Sequence, residues 1–206
     1  MVAQVHRVQQ RTAPALQALS RHWPEYLMEA WGLGTFMVSA GLFATLLEYP
    51  GSPVHQALPD PVARRVLIGL AMGLTAVAII YSPWGKRSGA HLNPATTLTF
   101  FSLGKVAPWD ALFYILAQFC GGTLGVLLVA ALLREAFTLA PVSYVTTLPG
   151  ASGAGVAFAA EFLISCGLML VVLFATNSER LAKRTGLFAG GLVAAYISVE
   201  APLSGM

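Results

Sequence analysis

The chain has 206 residues, with 12 Lys+Arg against 9 Asp+Glu and a formal net charge of +3. Charged residues make up 10% and hydrophobic residues 56%, where an average soluble domain has about 25% charged, and the mean hydropathy is +0.70. This balance excludes a disordered chain, a nucleic-acid-binding domain and an ordinary soluble enzyme, and leaves a multi-pass protein whose solvent is the lipid bilayer.

Residues 1–22 are polar, carry Arg7, Arg11 and Arg21, and lack the apolar core of a signal peptide. They read as a retained cytoplasmic tail, with the membrane domain spanning 23–206. Five stretches are then nearly free of charge: 30–47 after Glu29, 66–84 after Arg65, 111–133, 162–178 after Glu161 with an extension back through 154–160, and 185–199 up to Glu200. Each reaches the roughly 20 residues a helix needs to cross the hydrocarbon core once its flanks are counted. No strand-like alternation occurs, so the spans are predicted to be helices. Cys120 and Cys166 lie inside these runs and read as small buried hydrophobes, with no metal or cofactor spacing around them.

A sixth apolar piece, 94–104, sits between Lys86/Arg87 and Lys105. Its eleven residues would make a helix of roughly 16 Å, half a membrane thickness. Basic residues at both ends predict a segment that enters and returns to one side. With the N-terminus inside, nine basic residues are cytoplasmic (Arg7, Arg11, Arg21, Lys86, Arg87, Lys105, Arg180, Lys183 and Arg184) and three are outside (Arg64, Arg65 and Arg134). That bias holds only if 94–104 is re-entrant, and it predicts a plasma or inner membrane protein with a cytoplasmic N-terminus.

The chain also resembles itself. Glu29 opens the first span and Glu161 the fourth; Gly69 and Gly73 recur as Gly186 and Gly190/Gly191; Ser88-Gly89 recurs as Ser204-Gly205. Three spans separate the two acids, so the second unit is inverted, as in many channels and transporters. The first repeat covers about 23–135 and the second about 154–206. The second stops before a half-helix and last span, so the sequence reads as truncated.

Asn93-Pro94-Ala95 opens the half-helix. Asn is a favoured N-cap and Pro a favoured first residue, so the helix starts there, near the bilayer midplane. Residues 88–92 must run inward as extended chain, which is tolerated at that depth only in protein or beside water. The carbonyls of Gly89, Ala90, His91 and Leu92 would form a ladder of acceptors, the Asn93 amide would donate to a solute, and the helix dipole would disfavour cations.

At these residues the chain resembles the aquaporins, or major intrinsic proteins. Ser88-Gly89-Ala90-His91-Leu92-Asn93-Pro94-Ala95 resembles the family's first signature; Glu29-Ala30-Trp31-Gly32-Leu33-Gly34-Thr35-Phe36 resembles its first helix, Tyr114-Ile115-Leu116-Ala117-Gln118 its third, and Glu161-Phe162 its fourth. The resemblance covers 25–206. It implies an all-α inverted-repeat membrane fold, here five transmembrane helices and one re-entrant half-helix, with one pore per subunit in a homotetramer. It makes Asn93 the first pore asparagine. It gives Glu29 and Glu161 the role of bracing the pore loops, with proton relay as the alternative. His91 either braces the loop or lines the pore, and Gln118 is an interhelical hydrogen-bonder. The outer filter falls at Met72, or Gly73 if no gap is allowed, with Ile197 and Met206; none is aromatic or histidine. That departs from the strict water pattern and leaves glycerol, other small neutral solutes and gases open.

The expected function is passive conduction of water or small neutral solutes, with ions and protons excluded. An inverted-repeat secondary transporter is the competing class, and it would need paired charges at the midplane. As given, the chain could also be a non-conducting fragment. An enzyme is disfavoured, because His6, His22, His55 and His91 are scattered and form no nucleophile–base pair.

Overall fold

The computed structural model describes residues 15–204, with side chains as far as Val199. The polar start of α1 (Ala15–Glu48) is already helical, so residues 15–22 continue into the first apolar run. A short α2 (Pro53–Ala57) precedes α3 (Pro61–Tyr81), and α4 (Pro83–Ser88) follows it. Then come the nine-residue α5 (Pro94–Ser102), α6 (Pro108–Leu133), α7 (Glu135–Thr138), α8 (Ala154–Thr176) and α9 (Thr185–Ser204). Among the described residues α1, α3, α6 and α8 are long and apolar enough to cross a membrane, and α9 adds a further helix of 20 residues. Starts are set locally: Ser52, Asp60, Ser82 and Asn93 each cap a helix through a side-chain oxygen, with proline just inside.

The molecule is apolar outside and polar at its centre. Leu74, Phe119, Leu124, Leu163 and Phe174 are well exposed, whereas Glu29, Thr97 and Gln118 are fully buried. That inversion suits lipid as the solvent.

Two helix pairs organise the chain. Helices α1 and α6 run parallel, in contact through Ala30, Gly34, Gly121 and Gly125. A Cβ on Gly121 would fall on the backbone of Ala30, and backbone cannot step aside. Gly121→Ala is therefore expected to force the two helices apart and lower the melting temperature, at a cost of about 1–3 kcal/mol or more. Gly191→Ala, with nothing within 4 Å of the added atom, should be neutral or stabilising. Thermal unfolding in detergent compares them, and equal melting points would refute the account.

Helices α3 and α9 run antiparallel. Gly69 meets Ser198, Gly73 meets Gly190 and Ala194, Val77 meets Gly190, and Tyr81 meets Gly186. Place Gly69 on Gly186 and Gly73 on Gly190, the offset that the sequence repeat supplies. The Gly69–Ser198 contact then becomes Tyr81–Gly186, Gly73–Ala194 becomes Val77–Gly190, and Gly73–Gly190 maps onto itself. The crossing thus has the two-fold symmetry of an inverted repeat, with its axis passing between Gly73 and Gly190. On the other side of α9, Gly167 of α8 lies under the Tyr196 hydroxyl, and only Ala157 and Ala175 of α8 are buried.

One end of the bundle is closed by apolar packing and one ion pair. Ala44, Val129, Phe137 and Val142 form a core there. Arg64 pairs with Glu48 at 3.2 Å and donates to the Leu58 and Pro59 carbonyls. The opposite end carries Arg87–Glu25 and His22–Asp110, both at 2.8 Å.

Candidate functional site

The connection between α4 and α5 is organised by a residue far away in sequence. Glu29 accepts from the Ser88 hydroxyl at 2.7 Å, the His91 N–H at 3.1 Å, the Leu92 N–H at 2.8 Å and Gln118 Nε2 at 2.9 Å. An intramembrane carboxylate is costly unless its oxygens are occupied, and here four donors converge on it. Gln118 also donates to the Thr97 hydroxyl at 3.1 Å, which shares a 3.1 Å hydrogen bond with His91 Nδ1. The His91 ring stacks on Phe100 at 5.0 Å and meets Tyr114 edge-on at 5.3 Å. Tyr114 donates its hydroxyl to the Ser88 carbonyl at 2.7 Å.

This loop is not the simple extended chain that the sequence suggests. Gly89 (φ +91), Ala90 (φ 47) and Leu92 (φ 54) are left-handed. The latter two cost on the order of 1–2 kcal/mol each. The reason lies in the bonding: successive N–H groups of 91 and 92 both turn toward Glu29, and the Ala90 N–H turns back to Ser88 Oγ at 3.1 Å. With the donors held on one side, the carbonyls of Gly89, Ala90, His91 and Leu92 accept no hydrogen bond among the described residues.

Asn93 is extended (φ −154, ψ 129) and caps α5 by accepting from the Ala95 N–H at 2.8 Å. That commits Oδ1 and leaves Nδ2, two donors, with no partner among the described residues; the residue is exposed. Pro94 starts the helix. A cleft of about 510 Å³ opens beside the loop, with Gly89 and Ala90 in its wall.

The other expected site residues lie apart from this loop. Met72 is 2% exposed in an apolar cluster with Ala40, Leu47 and Ile68, against which Ile197 and Phe36 pack. Gly73 faces α9 at the crossing. Glu161 lies on α8, which packs against α9 outside both helix pairs. Met206 lies outside the described residues, as do Arg7 and Arg11 of the tail. Sequence reasoning missed three members of the network. Ser88 and Thr97 offered no signal beyond their place in or beside the motif, and Tyr114 none beyond its place in the stretch 114–118 that resembles the family's third helix.

The model of the major intrinsic protein family matches residues 18–206. Aquaporin NIP1-2 of Arabidopsis thaliana is 34% identical over 146 residues, which cover 67% of this chain and 48% of that protein. Aquaporin NIP3-1 of the same plant is 36% identical over 182 residues, 84% of this chain and 51% of the relative. A probable aquaporin, AqpM, of Archaeoglobus fulgidus is 36% identical over 132 residues, 61% of this chain and 53% of the relative. The chain spans about half the length of the relatives it matches.

Proposed function

The chain belongs to the major intrinsic protein family, and from that premise we propose that its full gene product is a passive transmembrane channel for water or other small neutral solutes. One observation carries the reading. Four consecutive carbonyls and the Asn93 Nδ2 stand without partners among the described residues at the start of a helix only nine residues long. Such a line of acceptors ending in a donor can replace the hydration of a neutral polar molecule step by step. The positive end of α5 at the same point disfavours cations and protons. In this reading Gly89, Ala90, His91, Leu92, Asn93, Pro94 and Ala95 form the conduit wall, and Glu29 and Gln118 brace it.

The filter residues expected at Met72 and Ile197 are apolar, and a constriction lined by them would favour a small neutral solute such as glycerol beside water. The symmetric α3–α9 crossing supports a first repeat near 23–135 and a second near 154–206. The basic residues at the α4–α5 end support a cytoplasmic N-terminus in the plasma or inner membrane. The sparsely buried α8 supports further helix contacts within a homotetramer.

The test is osmotic stopped-flow on proteoliposomes of the full gene product. These should shrink several-fold faster than empty vesicles, with or without ion gradients. Flux that needs a proton or sodium gradient would instead make the protein a secondary transporter.

A further inference from the structure

A glycine inside a helix costs stability unless a close approach needs it, and Gly32 is buried in the middle of α1. It lies three residues after Glu29, so the two share one face of the helix. A Cβ added at Gly32 would fall on Leu92 Cδ2 and come within 3.4 Å of Ile79 Cγ2. The missing side chain is therefore a notch. Ile79 of α3, itself 2% exposed, closes one side of it, and the end of the Leu92 side chain fills it. One face of α1 thus holds Leu92 twice: Glu29 takes its N–H at 2.8 Å, and Gly32 makes room for its side chain. The backbone around Leu92 has little freedom to retreat. On one side the His91 N–H is tied to Glu29 at 3.1 Å, and on the other Asn93 caps α5 at 2.8 Å.

We propose, on the basis of the channel reading above, that Gly32 is a positioning residue that sets the bore of the conduit by keeping the Leu92 side chain withdrawn between α1 and α3. A methyl group at position 32 would evict that side chain while the backbone stays tied at both ends. The α1 and α3 side is then closed to it, and the donor side is filled by Glu29 and Gln118. What remains is the side on which the Gly89, Ala90, His91 and Leu92 carbonyls stand without partners among the described residues. Leu92 is only half-buried, so its side chain has room to swing that way. The conduit would narrow beside its line of acceptors, and pore diameter selects among neutral solutes. Gly32 acts through Leu92 and itself touches no solute.

The test is stopped-flow on proteoliposomes of the full gene product with water, urea and glycerol, each permeability divided by the amount of folded protein. Gly32→Ala should lose at least about tenfold in permeability to the largest of the three that wild type passes. Gly191→Ala makes the same change on α9 with nothing within 4 Å of the added atom, and should match wild type. Gly32→Ala/Leu92→Ala removes the Cδ2 atom that the new methyl group meets, and should recover most of the loss. A role in packing alone would lower the melting temperature of Gly32→Ala and leave its permeability per folded molecule at the wild-type value, and that result overturns the proposal. A double variant no better than Gly32→Ala also overturns it, read in flux or, where Gly32→Ala does not fold, in melting temperature. Wild-type vesicles no faster than empty ones would fault the channel reading and the proposal with it. Fast wild-type flux that Gly32→Ala leaves unchanged would fault the notch alone.

Discussion

The Glu29→Ala protein should lose its loop and much of its stability. The change leaves the Ser88 hydroxyl, the His91 and Leu92 N–H groups and Gln118 Nε2 without their acceptor in a site where Glu29 is fully buried. A stranded buried donor costs about 1–3 kcal/mol, so even half of the four amount to on the order of 4 kcal/mol. For a chain of this size that lowers the melting temperature by on the order of 10 °C. Leu92 would also lose the bond that holds it left-handed, and the peptide that follows Ala90 would lose its anchor at the His91 N–H. Glu29→Gln keeps one acceptor but turns an NH₂ toward groups that themselves donate, so it should fall between the two. Detergent-solubilised melting of the three proteins checks the order. Wild-type stability in Glu29→Ala would mean that the loop is held by something other than this carboxylate.

Asn93→Asp should separate folding from selectivity. The aspartate still caps α5, since either residue offers an oxygen to the Ala95 N–H. The melting temperature should therefore change little. The unpartnered amide donor becomes a full negative charge facing the open side. Two unit charges 4 Å apart attract by about 4 kcal/mol at an effective dielectric constant of 20, and each 1.4 kcal/mol is tenfold. Cation or proton permeability of proteoliposomes should rise at least about tenfold, read by a pH-sensitive dye under an imposed gradient. A well-folded variant with no leak would show that the α5 dipole and the remaining wall suffice without Asn93.

How legible this was in sequence depended on the range of each interaction. The α5 start was plain because the cap and proline act within two residues of each other. The span positions were plain because a bilayer demands uninterrupted apolar runs. The helical start at Ala15 was not, because residues 15–22 are polar and their helix answers to no membrane thickness. The loop's backbone was also hidden. Gly89 gives a local hint of left-handed geometry, but Ala90 and Leu92 give none. Their φ angles follow from Glu29, roughly sixty residues earlier, which takes the His91 and Leu92 N–H groups, and from Ser88 Oγ, which takes that of Ala90. The joint bracing by Ser88, Thr97, Tyr114 and Gln118 could not be read from spacing, because it exists only once α1, α5 and α6 have packed.

The symmetric crossing of α3 and α9 bears on biogenesis. A contact that maps onto itself about an axis between Gly73 and Gly190 looks the same from either face of the bilayer. It therefore carries no information about which way up the nascent chain should insert. That choice falls to features outside the crossing, above all the basic residues clustered at the α4–α5 end and sparse at the other. The crossing itself is indifferent to its orientation. A handful of surface lysines and arginines decides it, so their relocation could produce dual-topology insertion while leaving the helix packing intact.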